Sequence, residues 1–225
     1  MYKKVTGTKD ILPEEAVIWQ NIENACRKIF RLYNYCEIRT PLIEDASLFN
    51  RSLGESAEIV QKQMFIFQNK DELYALRPEG TASIVRAYIE NNIDKSSLFS
   101  KFYYMGPMFR FERPQKGRLR QFSHIGCEAI GSCDPRLDTE VISLASGILN
   151  EIGINDAKIR INSLGCSKDK DKLSKDLREK LEANSESLCE DCKKRLQTNV
   201  LRILDCKAES CKKIIANLES GHSHL

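Results

Sequence analysis

The chain has 225 residues, 30% of them charged and 41% hydrophobic, with a formal net charge of +3. That apolar content is enough to bury a core, which excludes wholesale disorder, and the length allows one generous domain or a domain with an appendage. No run reaches the roughly 18 apolar residues of a membrane span, no apolar stretch follows the basic start as a secretory signal requires, and +3 alone does not argue for a polyanion partner.

Residues 13–34 read as a helix. Pro13 suits its first turn, and Glu14 and Glu15 suit its positive end. Trp19, Ile22, Cys26, Ile29 and Tyr33 recur at helical spacing and predict one buried stripe. Residues 35–44 are extended around Pro41, which points to an edge or interface strand. Residues 64–67 and 73–76 flank a polar turn over 69–72 and predict a hairpin. Residues 80–91 read as a helix with Ile84, Val85, Tyr88 and Ile89 on its buried face. Residues 99–111 and 122–130 read as strands joined by a basic loop over 113–121, which makes a second hairpin.

Residues 136–152 predict an amphipathic helix through Val141, Leu144, Ala145, Ile148 and Ile152. A short strand is expected at 158–161. Beyond it Lys, Asp and Glu dominate and helices are expected, so a domain boundary is placed near residue 163. Hairpins and helices without regular βαβ alternation predict an α+β fold with an antiparallel sheet.

Glycine-rich phosphate cradles are absent: there is no G-x-x-x-x-G-K-[ST] and no G-x-G-x-x-G. A nucleotide would therefore be held by side chains. Residues 109–120 carry Arg110, Arg113, Lys116, Arg118 and Arg120 against a single acid, Glu112. Arginine grips phosphate through a planar two-hydrogen-bond fork. On a strand, Arg110 and Glu112 would share a face and could hold a phosphate and a neighbouring donor together. The plain alternative is a solvated hairpin tip.

Glu79 and Thr81 flank Gly80 at a strand-to-helix junction and could bind an ammonium group. The alternative is a helix cap made by Thr81. Glu128 lies in an apolar run on the same strand face as His124, which suggests the floor of a polar pocket, or else an exposed face.

Nine cysteines are an odd number and many for a cytosolic chain. Cys26, Cys36, Cys127, Cys133 and Cys166 stand singly and are expected to fill core positions. Cys189, Cys192, Cys206 and Cys211 read C-x2-C-x13-C-x4-C, which resembles zinc-ligand spacing, with His222 and His224 as further possible ligands. Aromatic packing residues and tight-turn glycines are lacking between the pairs. Reduced surface thiols on a helical appendage are therefore the expectation, with structural zinc as the alternative.

Taken together, these segments resemble the histidyl-tRNA synthetases, a family of class II aminoacyl-tRNA synthetases. The likeness runs from residue 7 through 207. Residues 37–44 are similar to the first class II motif, whose proline, here Pro41, lies at a dimer interface. Residues 109–128 are similar to the second motif and its loop. Residues 76–82 look like the segment that reads histidine, and residues 199–207 resemble the family's insertion region.

The resemblance implies an incomplete class II catalytic fold over residues 1–163 and a partial, mostly helical insertion over 164–225. It implies an ATP-dependent ligase that forms histidyl-adenylate with magnesium and charges tRNA(His). Such an enzyme is cytoplasmic, needs no membrane, and is a homodimer in its full-length form. By position, Arg110 would be the catalytic residue, gripping the ATP α-phosphate and the histidine carboxylate. Glu112 would meet the adenine amino group, and Arg113 and Arg118 the outer phosphates. Glu79, Thr81 and Glu128 would orient histidine with Arg110.

Two departures stand out. His124 replaces the family's usual glutamine; a neutral imidazole keeps one donor and one acceptor. The third class II motif, the later histidine-specific segment and the anticodon-binding domain are not found in these residues. A shortened reading frame, inactive alone, is therefore expected. A histidine-sensing paralogue, like the regulatory subunit of ATP phosphoribosyltransferase, is the rival reading, and the arginine grip weighs against it. A zinc-stabilised RNA-binding fragment is a third.

Overall fold

Pro13 opens α1 (Pro13–Leu32), with Glu14 and Glu15 in its first turn. The structure, a computed structural model, describes residues 2–53, 59–112, 117–162 and 165–219. It divides into two compact units, residues 1–157 and 158–225, where the expected boundary lay a few residues further along.

The buried face of α1 is Cys26, Ile29 and Phe30, with Ile22 and Tyr33 partly covered. Phe30 lies outside the expected stripe, yet it is 1% exposed and stacks on Tyr103 with ring centroids 4.3 Å apart. The chain continues through β1 (Cys36–Glu37), β2 (Ile43–Asp45) and α2 (Ala46–Leu53). Pro41 falls between β1 and β2, which are both edge strands. There a missing N–H costs no ladder bond.

β3 (Phe65–Asn69) and β4 (Glu72–Leu76) form the expected hairpin. Its turn is tighter than expected, with Lys70 at φ 54°. These strands join β2 in an antiparallel sheet ordered β2-β4-β3. α3 (Thr81–Glu90) and a single turn, α4 (Ile93–Ser96), follow. α3 buries Ala82, Ser83, Ile84 and Ala87 and leaves Val85 and Ile89 exposed, so its expected face is corrected. Small side chains let the helix backbone approach its neighbours, and Ile84 packs with Tyr104 and Met108.

β5 (Ser100–Phe109) and β6 (Gln121–Ile130) form a continuous antiparallel ladder from Ser100↔Ile130 to Phe109↔Gln121. β1 joins β5 in parallel, giving the order β1-β5-β6. The α+β class therefore holds, with one short parallel pairing. Side chains alternate across the ladder. Tyr103, Met105, Ile125, Cys127 and Ala129 pack with Cys26 and Phe30 of α1 and with Leu144 and Ile148 of α5 (Arg136–Glu151). Ala145 of α5 is exposed, against expectation. The opposite sheet face carries Tyr104, Phe122, His124, Gly126 and Glu128.

The second unit is helical: α6 (Ser167–Glu182), α7 (Glu190–Thr198) and α8 (Glu209–Glu219), with 3-10 turns at Ser185–Ser187 and Val200–Ile203. Leu177, Leu181, Leu188, Leu196, Val200 and Ile203 form its core with Cys192 and Cys211. Residues 158–161 form no strand, and Ile159 and Ile161 are exposed. An apolar alternation becomes a strand only beside a ladder partner. Among the described residues, no helix is long and apolar enough to cross a membrane.

Two cysteine expectations are corrected. Of the five single cysteines, Cys26 is buried and Cys127 half-buried, whereas Cys36, Cys133 and Cys166 are exposed. Cys36 lies on an edge strand, and Cys166 precedes α6, where its N–H donates to Asp169 at 2.9 Å. The four late cysteines are not all surface thiols: Cys192 and Cys211 are fully buried, while Cys189 and Cys206 are partly exposed.

Candidate active site

The first cluster forms where β4 gives way to α3. Residue 80 is glycine, so the first amides of α3 look to Glu79. Its carboxylate accepts the N–H of Thr81 at 2.6 Å and of Ala82 at 2.9 Å. The capping role expected of Thr81 thus belongs to Glu79. The hydroxyl of Thr81 is turned instead to β6 and donates to Glu128 Oε1 at 2.7 Å. Two candidate groups far apart in sequence are one cluster in space.

Glu128 is half-buried, so the expectation of a simply exposed face fails. Burial drives its carboxyl above the ordinary range. The Thr81 hydrogen bond opposes that rise, and the nearby Glu79 charge adds to it. Tyr104 stands opposite Gly126 in the ladder. A Cβ on Gly80 would lie 2.3 Å from the Tyr104 ring, and one on Gly126 2.4 Å from it. The two glycines therefore clamp the ring. Its phenol is pushed up to about 12, first by burial and then by Glu128 and Glu79, so it stays protonated at neutral pH.

Tyr104 was not a sequence candidate. Its signal, glycine on either side of one aromatic ring, becomes visible only in the register of the ladder. Arg77 was missed as well. It is 5% exposed, and it donates to the backbone and hydroxyl oxygens of Thr40, each at 3.0 Å, and to the Pro107 carbonyl at 3.1 Å. It ties the Pro41 segment to β5.

Arg110 lies just past the end of β5. Its Nε donates to the Pro78 carbonyl at 2.9 Å, and its guanidinium lies 5.3 Å from the Phe122 ring. That anchor sets Arg110 beside the Glu79 segment and uses none of its Nη hydrogens. Arg110 and Glu112 do not share a strand face as expected, because the strand stops at Phe109. Glu112 is paired instead with Arg118 at 3.3 Å. Arg120 is a brace: it donates to the carbonyls of Glu112 and Thr6, each at 3.3 Å, and lies 4.1 Å over Phe111. Arg113 and Lys116 fall outside the described residues.

His124 meets Tyr104 edge-on at 5.5 Å, and its buried Nδ1 has no hydrogen-bond partner among the described residues. Burial first, and then the Arg110 charge, depress its pKa, so the ring is neutral at pH 7. A cavity of about 330 Å³ is lined by Trp19, Glu37, Met105, Ser123 and His124, among others. A larger one, about 540 Å³, opens beside Leu48, Val85 and Ile89 and includes none of the candidate residues.

The arrangement is bipolar. Two carboxylates and a hydroxyl offer acceptors to a cationic group, and a guanidinium nearby offers donors to an anionic one. An amino acid is a ligand of that polarity.

Comparison with known proteins places the chain in a family. Residues 7–207 match the family model described as histidyl-tRNA synthetase. A histidine–tRNA ligase of Halothermothrix orenii is 50% identical over 216 residues, covering 96% of this chain and 52% of that protein. One from Geobacter metallireducens is 45% identical over 226 residues, covering 100% of this chain and 55% of that protein. The chain spans about half the length of these curated relatives. The crystal structure of apo Staphylococcus aureus histidyl-tRNA synthetase superposes with a TM-score of 0.70 at 34% identity, covering 97% of this chain and 55% of that one. A Bacillus halodurans structure described as an ATP phosphoribosyltransferase regulatory subunit/histidyl-tRNA synthetase has a TM-score of 0.64 at 23% identity, a likeness of fold alone, over 98% of this chain and 63% of that one. On the family match and these relatives, the chain belongs to the histidyl-tRNA synthetase family, with its class II fold.

Proposed function

We propose that these residues form the histidine- and ATP-gripping part of a histidine–tRNA ligase. The enzyme would activate histidine as its adenylate and pass it to tRNA(His). The observation that carries this reading is the meeting of Glu79, Thr81 and Glu128 beside the anchored Arg110. Residues 1–163 are read as part of the catalytic domain and 164–225 as part of a helical insertion. The enzyme works in the cytoplasm as a homodimer joined around Pro41, where Leu42 and Ile43 are exposed.

In this reading Glu79, Thr81 and Glu128 orient the amino group and imidazole of histidine. Arg110 spans the histidine carboxylate and the ATP α-phosphate. The carboxylate oxygen attacks the α-phosphorus and pyrophosphate leaves, so no side-chain nucleophile is needed. Arg110 supplies positive charge where the transition state gathers negative charge, and the fixed geometry supplies proximity. Glu112 meets the adenine amino group, Arg113 and Arg118 the outer phosphates, and magnesium, bound with ATP, neutralises the remainder.

The test is histidine-dependent exchange of pyrophosphate into ATP by a full-length protein carrying these residues. Arg110→Ala is expected to lower exchange by at least about a hundredfold, the scale of losing one donor to developing charge. A wild-type rate in that variant overturns the assignment. The 225 residues alone are expected to show little exchange. Histidine binding by the full-length protein without any exchange would favour the sensor reading instead.

A further inference from the structure

The second unit holds a feature that the ligase chemistry leaves unused. Cys189 immediately precedes α7, Cys192 lies in its first turn, Cys206 follows the 3-10 turn Val200–Ile203, and Cys211 lies in the first turn of α8. The chain folds back so that all four sulfurs lie within 4.8 Å of one another. Cys189 Sγ is 3.8 Å from Cys206 Sγ. Four sulfurs held tetrahedrally at the zinc–thiolate bond length of about 2.3 Å stand about 3.8 Å apart. The cluster therefore needs to close by an ångström or less to grip one ion.

We propose that Cys189, Cys192, Cys206 and Cys211 bind one zinc ion as the structural centre of this unit. Three observations support it besides the spacing. First, the thiols come from three separate stretches of chain, so an ion would cross-link α7, the turn after it and α8. Second, backbone and hydroxyl donors already serve the sulfurs: Cys189 N–H points to Cys211 Sγ at 3.3 Å, and Ser210 Oγ lies 4.0 Å from the same sulfur. Donors of this kind steady a thiolate ligand.

Third, the unit is short of core. Residues 158–225 include no Phe, Tyr or Trp, and the two buried cysteines occupy the middle of its aliphatic cluster. A unit of roughly 70 residues is in the size range where a metal staple adds what packing alone does not supply. A four-thiolate set leaves no open position, so the site is structural rather than catalytic. Each ligating thiol gives its proton to solvent when zinc binds. Four soft sulfurs in tetrahedral array also suit iron, and the test separates the two.

The experiment measures metal content of the 225-residue chain purified without chelators. It then follows zinc release as the thiols are modified, and visible absorption after exchange for Co(II). One zinc per chain, released on thiol modification, with the intense bands of a tetrahedral cobalt–thiolate complex, is the expected result. Cys192→Ser should lose the ion, whereas Cys133→Ser, an exposed cysteine of the first unit, should keep it. If Cys192→Ser fails to fold, the wild-type metal content and cobalt spectrum still decide. Metal-free protein that takes up no added zinc overturns the proposal. So does bound iron in place of zinc, or full zinc retention in Cys192→Ser.

Discussion

The two faces of the β5–β6 ladder are made by alternate residues of the same two strands, yet they differ in kind. One face stacks Tyr103 on Phe30 and closes over α1 and α5 with aliphatic side chains. The other holds Tyr104, His124 and Glu128 and faces Glu79 and Thr81. The first buries apolar surface and contributes stability. The second half-buries the Glu128 carboxylate against the Thr81 hydroxyl rather than against a cation, which costs stability. A period of two thus lets one hairpin be a foundation and a workbench at once.

The comparison can be broken from either side. The largest effect is expected on the covered face: Phe30→Ala should lower unfolding free energy by about 4 kcal/mol. Urea denaturation reads this directly, and a loss below about 1 kcal/mol would show that this face is not the foundation. Next comes Gly126→Ala, whose added methyl meets the clamped Tyr104 ring. A loss of about 2 kcal/mol is expected from overpacking. A second change, Tyr104→Leu, should restore much of it, and strict additivity of the two would refute the clamp.

Glu128→Gln should do the reverse and stabilise. The native carboxyl holds its proton more tightly than the ordinary value of 4.5, so native protein binds more protons than unfolded chain just above that pH. Stability therefore falls as pH rises through this window. The variant should gain ~1 kcal/mol at pH 7 and nothing near pH 4. An equal gain at both pH values contradicts the account. The smallest effect is that of His124→Gln. A histidine depressed below 6.5 in the native state contributes stability above that pH and loses it as pH falls towards its native value. The variant should remove that acid-side loss, which amounts in total to under about 1 kcal/mol. An unchanged slope would mean that His124 does not titrate differently on folding.

Much of the first unit was legible. Helix-start chemistry at Pro13, the hairpin over residues 65–76 and the alternation of β5 and β6 are local signals, and each has a local cause. Errors came where packing decides. Ala82, Ser83 and Ala87 are too small to stand out in a hydrophobic stripe, yet closeness of approach selected that side of α3. Residues 158–161 have a strand's pattern but no ladder beside them.

The site shows the same limit. Its residue types were visible, but Thr81 meeting Glu128 is a tertiary event, and Tyr104 and Arg77 matter through partners that no short window contains. The convergence of the late cysteines was hidden in the sequence, because thirteen residues separate the two pairs and a tertiary fold joins them.

Trp19 gives the chain an optical asymmetry. It is the single tryptophan, and it lines the same cavity as His124. The second unit carries no aromatic side chain except those of the histidines near its end. Indole emission therefore reports on the first unit alone. A cobalt–thiolate chromophore in the second unit would absorb where the first is transparent. In one cuvette the two halves would unfold in different colours.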